Sequence, residues 1–362
     1  MVSRYDDISH LVIIGAGATC ASFPSGDFRG RKIPAMNGFL EKTRILNKFP
    51  ELTDLATEYP NLEDLYSVLS KETKYQDLLH RLDSEIREYM ASLHCGRQIN
   101  LYDKLMLSLT SRDYIATFNW DPFLAQSYFY MSYITTDLPT ILFLHGNVAI
   151  GYCEKCNITG FAWDKCQNCN EQFTPVPLLY PVKEKNYEKT PYIREAWEYL
   201  RKIINDSLMI TFWGYSAPKS DTAALSMMHE AFNTSASKKY KQFEIINTAE
   251  KNLLEEAYNG FIYKPTRVSF LESFYQSAIA TNPRRSCDCL FENTMRCTPS
   301  SVVDENETRI TIQEKDGLLS IIIKLNQIEG ENIFRNCYKK KPITSKEVLV
   351  NRLGVHLKGV MK

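Results

Sequence analysis

The sequence predicts an α/β protein, a doubly wound parallel sheet with a small inserted cysteine-rich lobe and a C-terminal extension. Three observations predict it. Five short apolar runs, each closing on small or polar residues, are spread over residues 11–247. Segments of helical periodicity alternate with them, and two Cys-x-x-Cys doublets interrupt the alternation at 153–169. Helices alternating with continuous apolar strands are what a sheet covered on both faces requires.

The first run, LVIIGAGAT at 11–19, is apolar without alternation, as in a strand buried on both faces. Gly15, Ala16 and Gly17 follow it, a tight turn whose exposed amides would approach a pyrophosphate. Cys20 stands where a GxGxxG pattern has its third glycine, so the dinucleotide signature is incomplete. Residues 15–38 are rich in Gly, Pro and Ser and read as a long loop at a strand end, where function concentrates. Within it Arg29 reads either as an anion contact or as a loop ion pair. From Asn61, a plausible cap, to Leu109 the pattern is helical, with His80 and His94 in surface or packing positions.

The second run, IATFNWD at 115–121, ends on Asn119 and Asp121, whose spacing directs both side chains to one side of an extended segment. They would hold sugar hydroxyls and a water, or, with Pro122 next, cap the following helix. The third, ILFLHG at 141–146, ends on His145, an imidazole able to take a proton near neutrality. After the cysteine segment, IREAWEYLRKIIND predicts an amphipathic helix leading into ITFWGYS at 210–216, where Gly214, Tyr215 and Ser216 repeat the glycine turn. A helix near 221–232 precedes FEIIN at 243–247, which ends on Asn247, and RVSFLESFYQSAI at 267–279 reads as the closing helix. Strand ends on one edge of an open parallel sheet share a crevice, so these distant residues are expected to converge.

Beyond Thr281 the texture changes. NPRRSCDC reads as a linker, and TRITIQEKDGLLSIIIKL as two strands joined at Lys315-Asp316-Gly317. The basic stretch 338–362 reads as a helix with a solvated face. The expected organisation is one domain over 1–281, with 151–177 as the inserted lobe, and an extension over 282–362.

Four cysteines, Cys153, Cys156, Cys166 and Cys169, form the two doublets, nine residues apart. Four thiolates at this spacing make a closed tetrahedral zinc site, a structural clip with no open position for chemistry. Cys20 and Cys95 read as small core residues. Cys287, Cys289, Cys297 and Cys337, irregularly spaced, are candidates for a second metal site.

The chain's 362 residues carry 43 basic and 43 acidic side chains, so no net field draws it to nucleic acid or an anionic membrane. No apolar run approaches the ~20 residues of a membrane span, and acidic residues in MVSRYDDISH stand where a signal peptide would be basic. A cytoplasmic protein is expected.

Taken in order, GAGAT, DFRG, TFNWD, LHGN, the cysteine quartet and GYSAPKSD resemble the sirtuin family over about residues 8–280. The resemblance implies a Rossmann-like NAD domain, a zinc-bearing lobe and cleavage of the nicotinamide glycosidic bond. It implies that Ala16, Gly17, Thr19, Asp27 and Arg29 line the NAD pocket, that Asn119 and Asp121 hold the nicotinamide ribose and a water, that His145 is the base, and that Gly214, Ser216 and Asn247 face the adenosine. Deacylating members usually carry TQNID where this chain has TFNWD, and the spacing from the glycines to DFR is one residue longer here. They also have a phenylalanine-glycine-glutamate segment, part of the acyl-lysine channel, where this chain has PVPLLYPVKEKNY. With NLEDL, NWD and GYSAPKSD, the chain is similar to a divergent bacterial branch whose members commonly hydrolyse NAD in antiphage defence. The expected function is therefore an NAD glycohydrolase with NAD as substrate and a structural zinc. The alternatives are an NAD-dependent protein-lysine deacylase and a non-catalytic sensor or assembly module. A homo-oligomer or a defence partner protein is expected, with no direct nucleic-acid or membrane partner, and oligomerisation or a trigger is expected to restrain the activity, with residues 282–362 as the candidate regulatory surface.

Overall fold

A computed structural model describes residues 8–180, 191–218, 221–234, 241–259 and 267–329. All five apolar runs form strands: β1 (His10–Ile14), β2 (Tyr114–Thr117), β3 (Thr140–Phe143), β7 (Met209–Trp213) and β8 (Gln242–Ile246). Three short strands lie between the third and fourth runs, β4 (Ile150–Cys153), β5 (Ile158–Phe161) and β6 (Thr174–Pro175), and β9 (Arg267–Leu271) follows the last.

The main sheet is parallel, in the order β3-β2-β1-β7-β8-β9. The chain thus winds outward from β1 through β2 and β3, returns to β7 on the other side of β1, and winds outward again. Strand direction from the centre reverses between β1 and β7, and at such a switch point the loops part to leave a crevice. The carboxyl ends are flush. Each residue leaving one strand donates to the last residues of its neighbour: Phe118 N–H to Ile14 O at 3.0 Å, Leu144 to Thr117 at 2.9 Å, Gly15 to Trp213 at 3.1 Å and Gly214 to Ile246 at 2.9 Å. Every residue of β1 and β7 is buried, which accounts for their unbroken apolar sequences.

Two glycine turns interlock at the switch point. Gly214 has φ +61°, and a Cβ there would sit 2.0 Å from the Ala18 nitrogen; a Cβ on Gly17 would meet Gly214 Cα at 2.9 Å. Gly15 and Gly17 are therefore required for the approach of two backbones. Their amides are already bonded, to Trp213 O and Gly214 O, so these two are not the pyrophosphate donors that the sequence suggested.

Helix Pro191–Asp206 buries Ile193, Trp197, Leu200 and Ile204 at helical spacing. Asn61 caps Leu62–Leu69, its side chain accepting the Glu63 amide at 2.9 Å. Residues 150–175 form a separate antiparallel sheet, β5-β4-β6, which carries the cysteine quartet.

Several expectations are corrected. The loop over 15–38 opens with a helix, Ala16–Ser22. RVSFL is an edge strand, β9, and only a 3-10 turn (Phe274–Gln276) and the short helix Ala278–Thr281 follow it. The expected hairpin at 315–317 does not form: Leu318–Glu329 is a helix whose Ile321, Leu325 and Ile328 face inward at intervals of four and three. Asp316 fixes its start, accepting the Gln313 amide and the Ser320 hydroxyl. Cys20 is exposed, whereas Cys95 is buried as expected.

The extension is packed against the main core, which Val302, Ile310, Ile312, Ile321 and Leu325 join. Arg284, 1% exposed, pairs with Asp137 and with Glu329 at 3.2 Å and ties the last described helix to the domain. The basic stretch 338–362 and Cys337 lie outside the described residues. Among those described, no helix is long and apolar enough to cross a membrane.

Candidate active site

A cavity of about 740 Å³ opens over the switch point. The strand ends supply its wall: Ala16 and Gly17 after β1, Asn119 after β2, His145 after β3, Gly214 and Ser216 after β7, and Asn247 after β8. Seven of the residues singled out from the sequence thus come together. The volume lies within the few hundred to a thousand Å³ typical of small-molecule and cofactor pockets.

Asn119 is 8% exposed, and its amide nitrogen donates to Gly15 O at 3.0 Å and Thr19 Oγ1 at 2.9 Å. Both N–H bonds point back to the turn after β1, a choice of amide orientation set by this network. Oδ1 is left as the end able to accept from a ligand or water. Asp121 stands behind, outside the cavity wall. Its carboxylate accepts from Thr19 Oγ1 at 2.9 Å and from the Phe123 amide at 3.2 Å. Burial pushes its pKa up to about 6, against the opposing effect of those hydrogen bonds. Thr19, 0% exposed, is likewise behind the wall, linking Asn119, Asp121 and the Tyr102 hydroxyl. Asp121 and Thr19 therefore stand one layer behind Asn119 rather than in the wall.

Asp27 and Arg29 do not join the cavity wall. Asp27 pairs with Arg31 at 2.6 Å and accepts the Arg29 and Arg31 amides, closing the loop on itself. Burial opposes ionisation of Asp27, but these hydrogen bonds outweigh it and hold the carboxyl below its usual range. Arg29 is exposed, with its guanidinium over the Phe28 ring at 5.1 Å. The ion pair that closes this loop is Asp27–Arg31, while the Arg29 guanidinium lies over Phe28.

His145 is 7% exposed and meets the edge of Phe118 at 4.9 Å between centroids. Phe118 in turn stacks on Tyr215 at 4.6 Å, nearly parallel. The His145 carbonyl accepts the Leu179 amide at 2.9 Å, an approach possible because Gly146 has no Cβ: one would lie 2.1 Å from Pro177 O. Asn147, fully buried, donates to Asn119 O at 3.2 Å and Asp121 O at 2.7 Å. That one amide staples the loop after β3 to the loop after β2, which fixes His145 relative to Asn119.

Phe118, Tyr215 and Asp221 also stand in the wall, none of them assigned a ligand contact from the sequence. The Tyr215 hydroxyl is buried without a protein partner. Burial, then Asp221, Tyr258 and Glu63, push the phenol well above its usual range, so it stays neutral. The aromatic character of FNW and GYS was the available signal, since large rings beside a small-residue turn favour a flat ligand. At the far end of the cavity Asn247 accepts the Ala249 amide at 3.0 Å, and Glu272 and Ser273 follow β9.

In the inserted lobe the four cysteine sulfurs all lie within 4.8 Å of one another. Tetrahedral zinc with bonds of about 2.3 Å places its sulfurs about 3.8 Å apart, so the quartet fits the ion. Asn157 and Asn170, at φ +53° and +61°, turn the chain tightly after each doublet. Only Ile158 and Phe173 accompany the buried thiols Cys153 and Cys166, whereas Ile150 and Phe161 at the other end of β4 and β5 join the main core, so it is the cysteine end of the lobe that has little apolar burial of its own. Cys287 and Cys289 are buried in two different apolar clusters and Cys297 is exposed, so among the described residues they form no second metal cluster.

No family profile matches the chain, and no curated protein is similar to it. Among solved structures, a serine-to-alanine mutant of a Sir2 homologue in complex with ADP-ribose is 16% identical over 74% of this chain and 88% of its own, with a TM-score of 0.35. A structure described as the structural basis of sirtuin substrate affinity is 17% identical over 70% and 93%, with a TM-score of 0.35. A Sir2 homologue in complex with NAD is 15% identical over 74% and 86%, with a TM-score of 0.32.

Proposed function

We propose that this chain is an NAD glycohydrolase, cleaving NAD to nicotinamide and ADP-ribose, and that it acts in bacterial antiphage defence. The observation that carries the enzymatic reading is the meeting of Asn119, with a free amide oxygen, and His145 in the wall of one cavity at the switch point of a parallel sheet. The ordered motifs that resemble the sirtuin-like branch supply the substrate, and the defence setting rests on that resemblance alone.

In this reading the dinucleotide lies across the strand ends, its adenosine toward Gly214, Ser216 and Asn247 and its nicotinamide ribose toward Asn119 and His145. Asn119 Oδ1 accepts a hydrogen bond from a water and aims the water's lone pair at the anomeric carbon. Holding the nucleophile in line removes much of the entropic cost of a bimolecular attack. Nicotinamide leaves with the electrons of the C–N bond, and Asp121, one layer behind Asn119, offsets the positive charge that develops on the sugar. His145 takes the proton that the water loses.

A protein-lysine deacylase would break the same bond but use an acyl oxygen as nucleophile, and a sensor would bind without turnover. Incubating the purified protein with NAD, with and without an acylated peptide, separates the three. Free nicotinamide and ADP-ribose formed without peptide support hydrolysis; turnover only with peptide, or binding with no product, would replace it. An unrestrained NAD hydrolase would exhaust its own cell. We therefore infer that a homo-oligomer or a defence partner restrains it through the extension 282–362, and deletion of that extension with no change in basal activity or assembly would refute this.

A further inference from the structure

His145 has a carboxylate neighbour from a distant part of the chain. Asp221 Oδ2 lies 3.6 Å from His145 Nε2, with the two side chains 4% and 8% exposed. Both residues belong to the cavity wall. His145 hangs from the end of β3, while Asp221 opens the helix Thr222–Thr234, its carbonyl accepting the Leu225 amide at 3.0 Å. The stacked pair Phe118–Tyr215 lies beside them, limiting where the imidazole can turn.

We propose that Asp221 is a positioning residue for His145: its carboxylate holds the imidazole toward the cavity and stabilises the imidazolium formed when the ring takes up the proton of the attacking water. This deepens the NAD-hydrolysis reading and rests on it. In the step concerned, the water oxygen forms its bond to the anomeric carbon as the C–N bond breaks. The electron pair of that bond goes to the nicotinamide nitrogen, neutralising the ring, and one O–H bond of the water breaks with its proton passing to His145 and then to solvent. Substrate and water thus become nicotinamide, ADP-ribose and a proton.

A separation of 3.6 Å is too long for a hydrogen bond and short enough for strong charge attraction across a site screened from water. The attraction is greatest when the ring becomes charged, which is when it aids the reaction. Among the described residues the neighbouring groups are differently placed. Tyr215 is a neutral phenol, Phe118 and Asn119 carry no charge, Asp121 is turned to Thr19 and the Phe123 amide, and Glu63 comes from the separate helix Leu62–Leu69. No lysine or arginine stands among the described residues of the wall.

The rival role for Asp221 is that of a helix cap with no part in the chemistry. Asp221→Asn removes the charge; Asp221→Ser removes it while keeping an oxygen able to cap a helix. The expected result for both is a kcat lower by about 10- to 100-fold with KM changed by less than about threefold, and substantial recovery in Asp221→Glu. The acid limb of the pH profile, and the His145 midpoint followed by NMR, should move down by about half a unit or more, since a lost negative neighbour makes the ring easier to deprotonate. An unmoved His145 midpoint in a folded Asp221→Ser protein overturns the proposal, as does a lowered Tm with unchanged kcat. The NMR titration needs no turnover. A wild-type protein that leaves NAD intact would defeat the hydrolysis reading while the titration still decides whether Asp221 holds the imidazole.

Discussion

At the scale of single residues, the site depends on which end of an amide faces the ligand. Asn119 directs both N–H bonds to the turn after β1, so replacement by Ala removes the water acceptor and unties Gly15 and Thr19 together. Asn119→Ala should lower turnover by on the order of 100-fold or more while the protein keeps its circular dichroism and remains folded; unchanged NAD consumption would refute the assigned role. His145 and Asn119 were legible in the sequence because each ends an apolar run, and buried parallel strands place their ends on one edge. Asp221 was not legible as a partner for His145, because nothing in a linear pattern tells that the residue opening a helix after β7 will meet the end of a strand three positions across the sheet. Asp27 and Arg29, which the resemblance implied in the NAD pocket, lie outside the cavity wall because their loop closes on itself through Arg31.

At the scale of elements, the interlocked turns after β1 and β7 leave no room for a side chain. Gly214→Ala adds both a left-handed backbone penalty and a 2.0 Å clash with the Ala18 nitrogen. It should destabilise the protein by roughly 2 kcal/mol or more, as seen in denaturant unfolding, or pry the two turns apart and abolish NAD binding. A second prediction concerns β8. Glu244, 4% exposed, is pushed up to about 7 by burial, against the opposing bonds from the Ala278 amide and Thr211 hydroxyl. A carboxyl whose folded pKa is raised binds more protons folded than unfolded, so its contribution is intact below about pH 4 and becomes unfavourable as pH climbs toward and past 7. Glu244→Gln should therefore equal the wild type in stability near pH 4 and exceed it by about 1–3 kcal/mol at pH 8; a constant difference across that range would show that the carboxyl is not protonated in the fold. The elements that sequence patterning missed share a cause. Strand β9 is half exposed at the sheet edge, so RVSFL lacks the unbroken apolar character of its neighbours and merges into the following ESFYQSAI. Helix Leu318–Glu329 is rich in isoleucine, whose β-branched side chain favours strands in isolation, but burial of Ile321, Leu325 and Ile328 on one face outweighs that preference.

At the scale of the whole molecule, a large sheet domain held by apolar burial carries a small lobe whose cysteine end is not. Chelation of the metal should unfold residues 150–175 while the parallel sheet persists: loss of hydrogen-exchange protection confined to β4, β5 and β6 is the expected result, and global unfolding at the same chelator concentration would contradict it. Because Val148 N–H bonds to Trp120 O and Asn147 spans both loops, the damage should stop short of Asn119. The remaining question is whether the strand ends gather around one dinucleotide. A crystal structure of the Asn119→Ala protein soaked with NAD tests this most directly. The nicotinamide ribose should lie between position 119 and His145, with its anomeric carbon within about 4 Å of the place the Asn119 amide would occupy. NAD bound in the cavity with that sugar at the Asn247 end, or bound elsewhere on the molecule, would contradict it.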